Sequence, residues 1–115
     1  MIKIYGIKNC DTMQKAFKWL EAKKLPYSFH NYKESGIDKD TIKAWLAHFP
    51  PTQLINTKGT TYRALTDDQK ASISDPAKAT ELMIANTSLI KRPMWDFGNG
   101  HFFLGWNEAA LNDLI

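Results

Sequence analysis

The sequence predicts an α/β fold in which a mixed β-sheet carries helices on its faces and is interrupted by a helical insertion. Three observations support this prediction. Strand, helix and strand patterns follow one another at the N-terminus, helix signals dominate residues 34–88, and two strand patterns and a helix close the chain. A sheet covered by helices buries the apolar sides of all these elements. At 115 residues the chain predicts a single domain, residues 1–115.

The N-terminal elements are predicted to form two parallel strands joined by a helix. Alternating apolar and β-branched residues indicate a strand over Ile2 to Tyr5, which Gly6 ends. Pro26 stops the following helix, and the alternation in "PYSFHNY" indicates a second strand. A crossover of this length joins parallel strands. The helix has about three turns, and its apolar face consists of Met13, Ala16, Phe17 and Leu20.

The insertion over residues 34–88 is predicted to contain two capped helices. Asp38 caps the first, and Pro50 with Pro51 stops it. Asp75 caps the second, with Pro76 at its first position. The stretch "NTKGTTYRALTDDQ" between them is predicted to be loop and turn. The inner face of the first helix is predicted to be Ile42, Trp45, Leu46 and Phe49.

The C-terminal part is predicted to be a β-hairpin followed by a short helix. "RPMWDF" and "HFFLGW" have strand patterns, and "GNG" between them is typical of a tight turn. Asn107 is expected to cap the helix, with Ala110, Leu111 and Leu114 facing inward. The tryptophans are assigned to packing; they are Trp19, Trp45, Trp95 and Trp106.

Composition narrows the function classes. The net charge of +3 comes from dispersed basic residues, which is typical of a solvated surface, so direct binding to nucleic acid is not expected. No apolar run approaches the roughly 20 residues of a membrane span. The single cysteine excludes an intramolecular disulfide and fits a reducing compartment, so we expect a soluble, cytoplasmic protein. A metal site is not expected, because His30, His48 and His101 share no ligand spacing.

The lone cysteine is the main candidate for chemistry. Cys10 lies between the first strand and the first helix, where the free amides of Thr12 and Met13 favour a thiolate. Lys8 would add to this effect, whereas Asp11 would oppose it. A nucleophilic thiolate without a second thiol needs an external thiol to complete a disulfide exchange. The alternative is that Cys10 is a small buried hydrophobic residue.

Four stretches in order along the chain resemble the ArsC/Spx/YffB family of arsenate reductase-like proteins, most closely its YffB-like branch: "IYGIKNCDTMQKAFKWLE", "LINTKG", "SLIKRP" and "FFLGWNE". The resemblance implies a thioredoxin/glutaredoxin-like fold in which Cys10 and Arg92 are catalytic. It also implies a cis peptide bond before Pro93. The expected substrate-binding residues are Lys8, Asn9, Thr12 and Pro93.

The chain departs from the family pattern at three places. Asn56 falls where arsenate reductases of the family carry a further arginine, and the position of another family arginine falls near Gly105 in "FLGWNE", which argues against arsenate reduction. Arg63 is interpreted as an exposed loop arginine and not as a replacement. Met13 stands where the regulator branch often has a second cysteine, which excludes an intramolecular redox switch.

The resemblance therefore implies a thiol/disulfide oxidoreductase that depends on glutathione. No cofactor would be tightly bound, and glutathione would act as co-substrate. Glutathione or a glutaredoxin-type protein thiol is the expected partner. The alternative is an Spx-like adaptor that binds RNA polymerase or another protein without catalysis.

Overall fold

The computed structural model describes residues 1–115. Four strands, eight helices and one 3-10 turn follow in the order predicted for a mixed α/β fold. The strands are β1 (Ile2–Gly6), β2 (Tyr27–Asn31), β3 (Met94–Gly98) and β4 (His101–Leu104). The helices are α1 (Asp11–Ala22), α2 (Tyr32–Ser35), α3 (Lys39–Leu46), α4 (Pro51–Leu54), α5 (Thr60–Arg63), α6 (Asp67–Ser72), α7 (Pro76–Ala85) and α8 (Glu108–Asp113), with the 3-10 turn at Thr87–Leu89.

The four strands form one mixed sheet in the order β2-β1-β3-β4. β1 pairs parallel with β2, as the strand-helix-strand pattern predicts, and antiparallel with β3. Ile4 therefore stands between Phe29 on one neighbouring strand and Trp95 on the other. Because α1 leads from the end of β1, the sheet fixes where this helix begins.

The chain divides into two compact units. The first comprises Met1–Asn31 and Arg92–Ile115 and holds the whole sheet, and the second comprises Tyr32–Lys91. The expectation of one domain, drawn from chain length, stays a prediction. None of the helices has the length and apolar character needed to cross a membrane.

The core of the first unit lies between α1, the sheet and α8. Its buried members are Ile2, Ile4, Met13, Ala16, Trp19, Leu20, Trp95 and Leu111. The predicted α1 face is confirmed, with Phe17 half-buried and edge-on to Phe29 at 5.0 Å between ring centroids. The inward orientation predicted for Leu114 is wrong, because α8 ends at Asp113 and Leu114 is 51% exposed.

The predicted hairpin between β3 and β4 is confirmed. Gly98 pairs with His101, which leaves a two-residue loop. Asn99 and Gly100 both have positive φ, 56° and 77°. Such angles are typical of the tight hairpin turns that match strand twist and favour an Asn-Gly pair.

The second unit contains six helices, α2 to α7, and the 3-10 turn at Thr87–Leu89. The predicted caps are confirmed, since the Asp38 carboxylate accepts from the Thr41 amide at 2.7 Å and the Asp75 carboxylate from the Ala77 amide at 3.0 Å. Phe49 does not extend the face of α3, because that helix ends at Leu46.

The loop predicted for "NTKGTTYRALTDDQ" is wrong in part. This stretch contains α5 and the start of α6. Thr66 and Gln69 form a reciprocal capping box, with bonds of 2.9 and 3.1 Å, that fixes the first turn of α6. Its Thr-x-x-Gln spacing was available in the sequence.

The absence of a side chain at Gly6 leaves room for the end of the Met13 side chain. A Cβ at position 6 would overlap the sulfur of Met13 and lie 2.7 Å from its terminal methyl. Met13 is fully buried, so its side chain would have to repack against the surrounding core. Gly6→Ala should lower the free energy of unfolding by about 1–3 kcal/mol, the usual cost of overpacking.

A double-mutant cycle in denaturant isolates this contact. In a Met13→Ala background, Gly6→Ala should cost nothing or stabilise the protein, because the overlapping atoms are gone. An equal cost in both backgrounds would show that the glycine is needed for another reason.

Candidate active site

Cys10 occupies the N-cap position of α1, where the chain leaves the loop after β1. Its backbone is extended (φ −133°, ψ 132°), and its carbonyl accepts the first helical hydrogen bond, from the Gln14 amide at 3.0 Å. The side chain is half-buried. The sulfur therefore sits at the positive end of a twelve-residue helix and remains accessible.

The surroundings of the thiol favour its ionised form. Burial would raise the pKa of Cys10, but the backbone amides of Met13 and Thr12 and the guanidinium of Arg92 outweigh burial and lower the pKa. The sulfur forms no conventional capping hydrogen bond, so the two amides act as weaker donors that gain strength when the sulfur is charged. The predicted contribution of these amides is confirmed, and the alternative of an inert buried thiol is not supported.

Arg92 approaches the cysteine from the segment before β3. It interacts with Cys10 both by a side-chain hydrogen bond and by its charge. The Arg92–Pro93 peptide bond is cis, as the resemblance implied. Pro93 is buried.

Gly105 holds this segment from the far end of β4. Its amide donates to the Pro93 carbonyl at 2.8 Å, and its own carbonyl accepts from the Trp95 indole at 2.9 Å. Its φ of +93° suits glycine, so another residue, including arginine, would be strained at this position.

The other predicted binding residues lie in the loop and first turn around Cys10. Lys8 and Asn9 are exposed, and Thr12 is half-buried. Asp11, expected to oppose the thiolate, is exposed.

Gln14 is a positioning residue that the sequence reasoning missed. Its side-chain amide donates to the Lys8 carbonyl at 2.9 Å and ties the loop before Cys10 to α1. No composition or spacing rule identifies this bond, because the exposed face of an amphipathic helix normally carries such polar residues.

Two further positions from the sequence analysis lie in the second unit. Asn56 organises a local turn, in which its side-chain oxygen accepts from the Lys58 amide at 3.2 Å. Arg63 is exposed, as expected, but it ends the short helix α5 and is not in a loop.

A thioredoxin-like mixed sheet with a single ionisable cysteine at a helix N-terminus defines the class of thiol-based, oxidoreductase-like proteins. The chain belongs to the ArsC family, whose model matches residues 5–114. Membership implies thiol-based, reductase-like chemistry in general terms.

Individual relatives agree with this assignment. The solved structure of the YFFB protein is 42% identical and superposes with a TM-score of 0.93 over 98% of this chain and 97% of its own. An arsenate reductase (ArsC) related protein from Brucella melitensis is 43% identical, with a TM-score of 0.77 over 97% of this chain and 92% of its own. An uncharacterized protein from Haemophilus influenzae is 37% identical over 94% of this chain and 93% of its own.

Replacing Arg92 should raise the pKa of Cys10. Arg92→Met removes both the hydrogen bond and the positive charge that favour the thiolate. The pH dependence of alkylation by iodoacetamide reports the change without ambiguity, because the chain has one thiol. Arg63→Met is the matched control, and an equal effect of both substitutions would contradict the assignment to Arg92.

The lowered pKa of Cys10 also predicts a pH-dependent stability. The ionised thiol stabilises the folded state above the unfolded thiol pKa of about 8.5, and this contribution is lost as pH falls through the folded-state pKa. The difference in unfolding free energy between wild type and Cys10→Ser should therefore grow with pH across that window. Denaturant titrations at several pH values measure it, and a constant difference would contradict the pKa shift.

Proposed function

We propose that the protein is a glutathione-dependent thiol/disulfide oxidoreductase in which Cys10 is the nucleophile. The observation that carries this proposal is the lowered pKa of the only thiol in the chain, at an accessible helix N-terminus beside Arg92. A thiolate is the reactive species in disulfide exchange. Such chemistry requires a reducing compartment, and we propose the cytoplasm.

The first step forms a mixed disulfide on the enzyme. The Cys10 thiolate attacks the glutathionyl sulfur of a substrate R–S–S–G, so a Cys10–S–S–G bond forms and the substrate leaves as the thiolate R–S⁻. The amides of Thr12 and Met13 stabilise the negative charge on the attacking sulfur. Arg92 stabilises the negative charge on the same sulfur and on the leaving thiolate. The leaving thiolate then takes a proton from solvent.

The second step needs a thiol from outside the protein. A glutathione thiolate attacks the glutathionyl sulfur of the Cys10 adduct, releasing oxidised glutathione and the Cys10 thiolate. The position where a second cysteine would act holds Met13, which is fully buried. The net reaction converts R–S–S–G and glutathione into R–SH and oxidised glutathione.

The residues around Cys10 suit glutathione chemically. Glutathione carries two carboxylates, and Lys8 and Arg92 are the cations assigned to them. Asn9 and Thr12 would donate hydrogen bonds from the loop and the first helical turn, and Pro93 would position the backbone of the bound tripeptide. We do not extend the proposal to arsenate, because no arginine stands at Asn56 or in the stretch "FLGWNE" around Gly105, where the family arginines are expected.

Turnover of a glutathionylated neutral peptide tests this function. Production of oxidised glutathione is measured by a coupled assay with glutathione reductase. It should occur with wild type and be absent with Cys10→Ser. Arg92→Met should lower kcat/KM by roughly ten- to a hundredfold, the factor for losing one charged hydrogen bond. Arg63→Met, the matched control, should retain wild-type activity.

Two results would contradict the proposal. Equal rates with wild type and Cys10→Ser would assign the turnover to another source. No turnover by wild type, together with binding to RNA polymerase that survives Cys10→Ser, would favour the adaptor function.

A further inference from the structure

A cleft of about 520 Å³ lies along α1, in the same unit as Cys10. It is separate from the residues assigned to thiol chemistry. Its lining combines cations with indole rings and includes Lys15, Lys18, Trp19, Lys23, Trp106 and Glu108.

The indole floor of this cleft is held in a fixed arrangement. The Trp19 ring is buried, and its N–H donates to the Asn112 side-chain oxygen at 3.0 Å. Trp106 is half-buried and edge-on to Trp19, with centroids 6.5 Å apart and planes at 82°. Trp106 directly follows Gly105, whose amide is hydrogen-bonded to the Pro93 carbonyl. This bond also restrains the backbone of Trp106. The cleft therefore offers a rigid, partly exposed aromatic surface.

The charge around this floor is positive. Lys15, Lys18 and Lys23 are exposed at the cleft, against the single carboxylate of Glu108. Asp11 and Glu21 are the acidic residues of α1, and neither lines the cleft. Three flexible ammonium groups around an apolar floor suit an anionic partner that also presents apolar surface.

The cleft runs along the same helix that begins at Cys10. α1 begins beside Cys10, and the rise of a helix places Lys15 about 8 Å and Lys18 about 12 Å along the axis from the cysteine. Lys23 follows the end of the helix, about 20 Å along, a distance that an extended peptide of roughly six residues spans. Cys10 lies on another side of the helix from Lys15, so a chain on this face would cross the first turn of α1 to bring its end to Cys10.

We infer that this cleft docks an acidic, extended segment of a protein substrate whose glutathionylated cysteine is presented to Cys10. This inference rests on the proposed function and specifies its substrate class. A polypeptide fits better than a phosphate ligand, because the amides along the middle of α1 are used within the helix, and because the indoles of Trp19 and Trp106 give the cleft an apolar floor that a phosphate would not use. The chemistry is unchanged: Cys10 takes the glutathionyl sulfur, the acidic segment leaves as a free thiol, and glutathione restores Cys10.

Matched substrates test the inference. Two glutathionylated cysteine peptides of equal length are compared, one with Asp and Glu roughly two to six residues from the cysteine, to match the distances of the cleft lysines, and one with Asn and Gln at the same positions. Wild type should have a kcat/KM about five- to tenfold higher for the acidic peptide at low salt, and the preference should shrink as salt screens the lysines.

Substitutions then locate the preference. Lys15→Gln with Lys18→Gln should remove it while leaving kcat/KM for the neutral peptide unchanged. Lys58→Gln, at an exposed lysine that does not line the cleft, should retain it. Trp106→Ala should lower the preference for acidic peptides that carry a leucine or phenylalanine among their acidic residues.

The outcomes separate this inference from the proposed function. Equal turnover of both peptides by wild type would overturn the docking site and leave the oxidoreductase function standing. Absence of turnover with either peptide would overturn both. Stronger inhibition by a single-stranded oligonucleotide than by an acidic peptide of equal charge would assign the cleft to nucleic acid and overturn the inference.

Discussion

The proposed chemistry depends on the stabilisation of a negatively charged Cys10 sulfur against the cost of its partial burial. Burial favours a neutral thiol, whereas the amides of Met13 and Thr12 and the guanidinium of Arg92 favour a thiolate, and the second group prevails. The fold supplies these groups from different parts of the chain. β1 delivers the cysteine to the start of α1, and the approach to β3 delivers the arginine.

A few hydrogen bonds to backbone carbonyls hold the segments on both sides of the cysteine in place. Gly105 bonds to Pro93 and to Trp95, so the end of β4 fixes the segment that carries Arg92. Gln14 bonds to the Lys8 carbonyl and fixes the loop on the other side of the cysteine. The sulfur is thus held between two tied segments, which is the preorganisation that an electrostatically stabilised thiolate requires.

The sequence predicted those parts that depend on local patterns. Capping by Asp38 and Asp75 was readable because each residue precedes a periodic apolar face. The site was predictable in part because the free amides at the start of α1 follow from helix geometry alone. The approach of Arg92 to Cys10 came from family resemblance, since no local rule relates residues 82 positions apart in sequence. The Gln14 bond and the exposure of Leu114 depend on tertiary packing and could not be predicted from spacing.

The most direct test of the account is to trap the first covalent intermediate. Wild-type protein is mixed with a stoichiometric glutathionylated peptide in the absence of free glutathione, and the intact protein is weighed by mass spectrometry. The account predicts one glutathione adduct per molecule, on Cys10, that persists until free glutathione is added. An unmodified Cys10 after the peptide has been reduced, or the same adduct on Cys10→Ser, would contradict it.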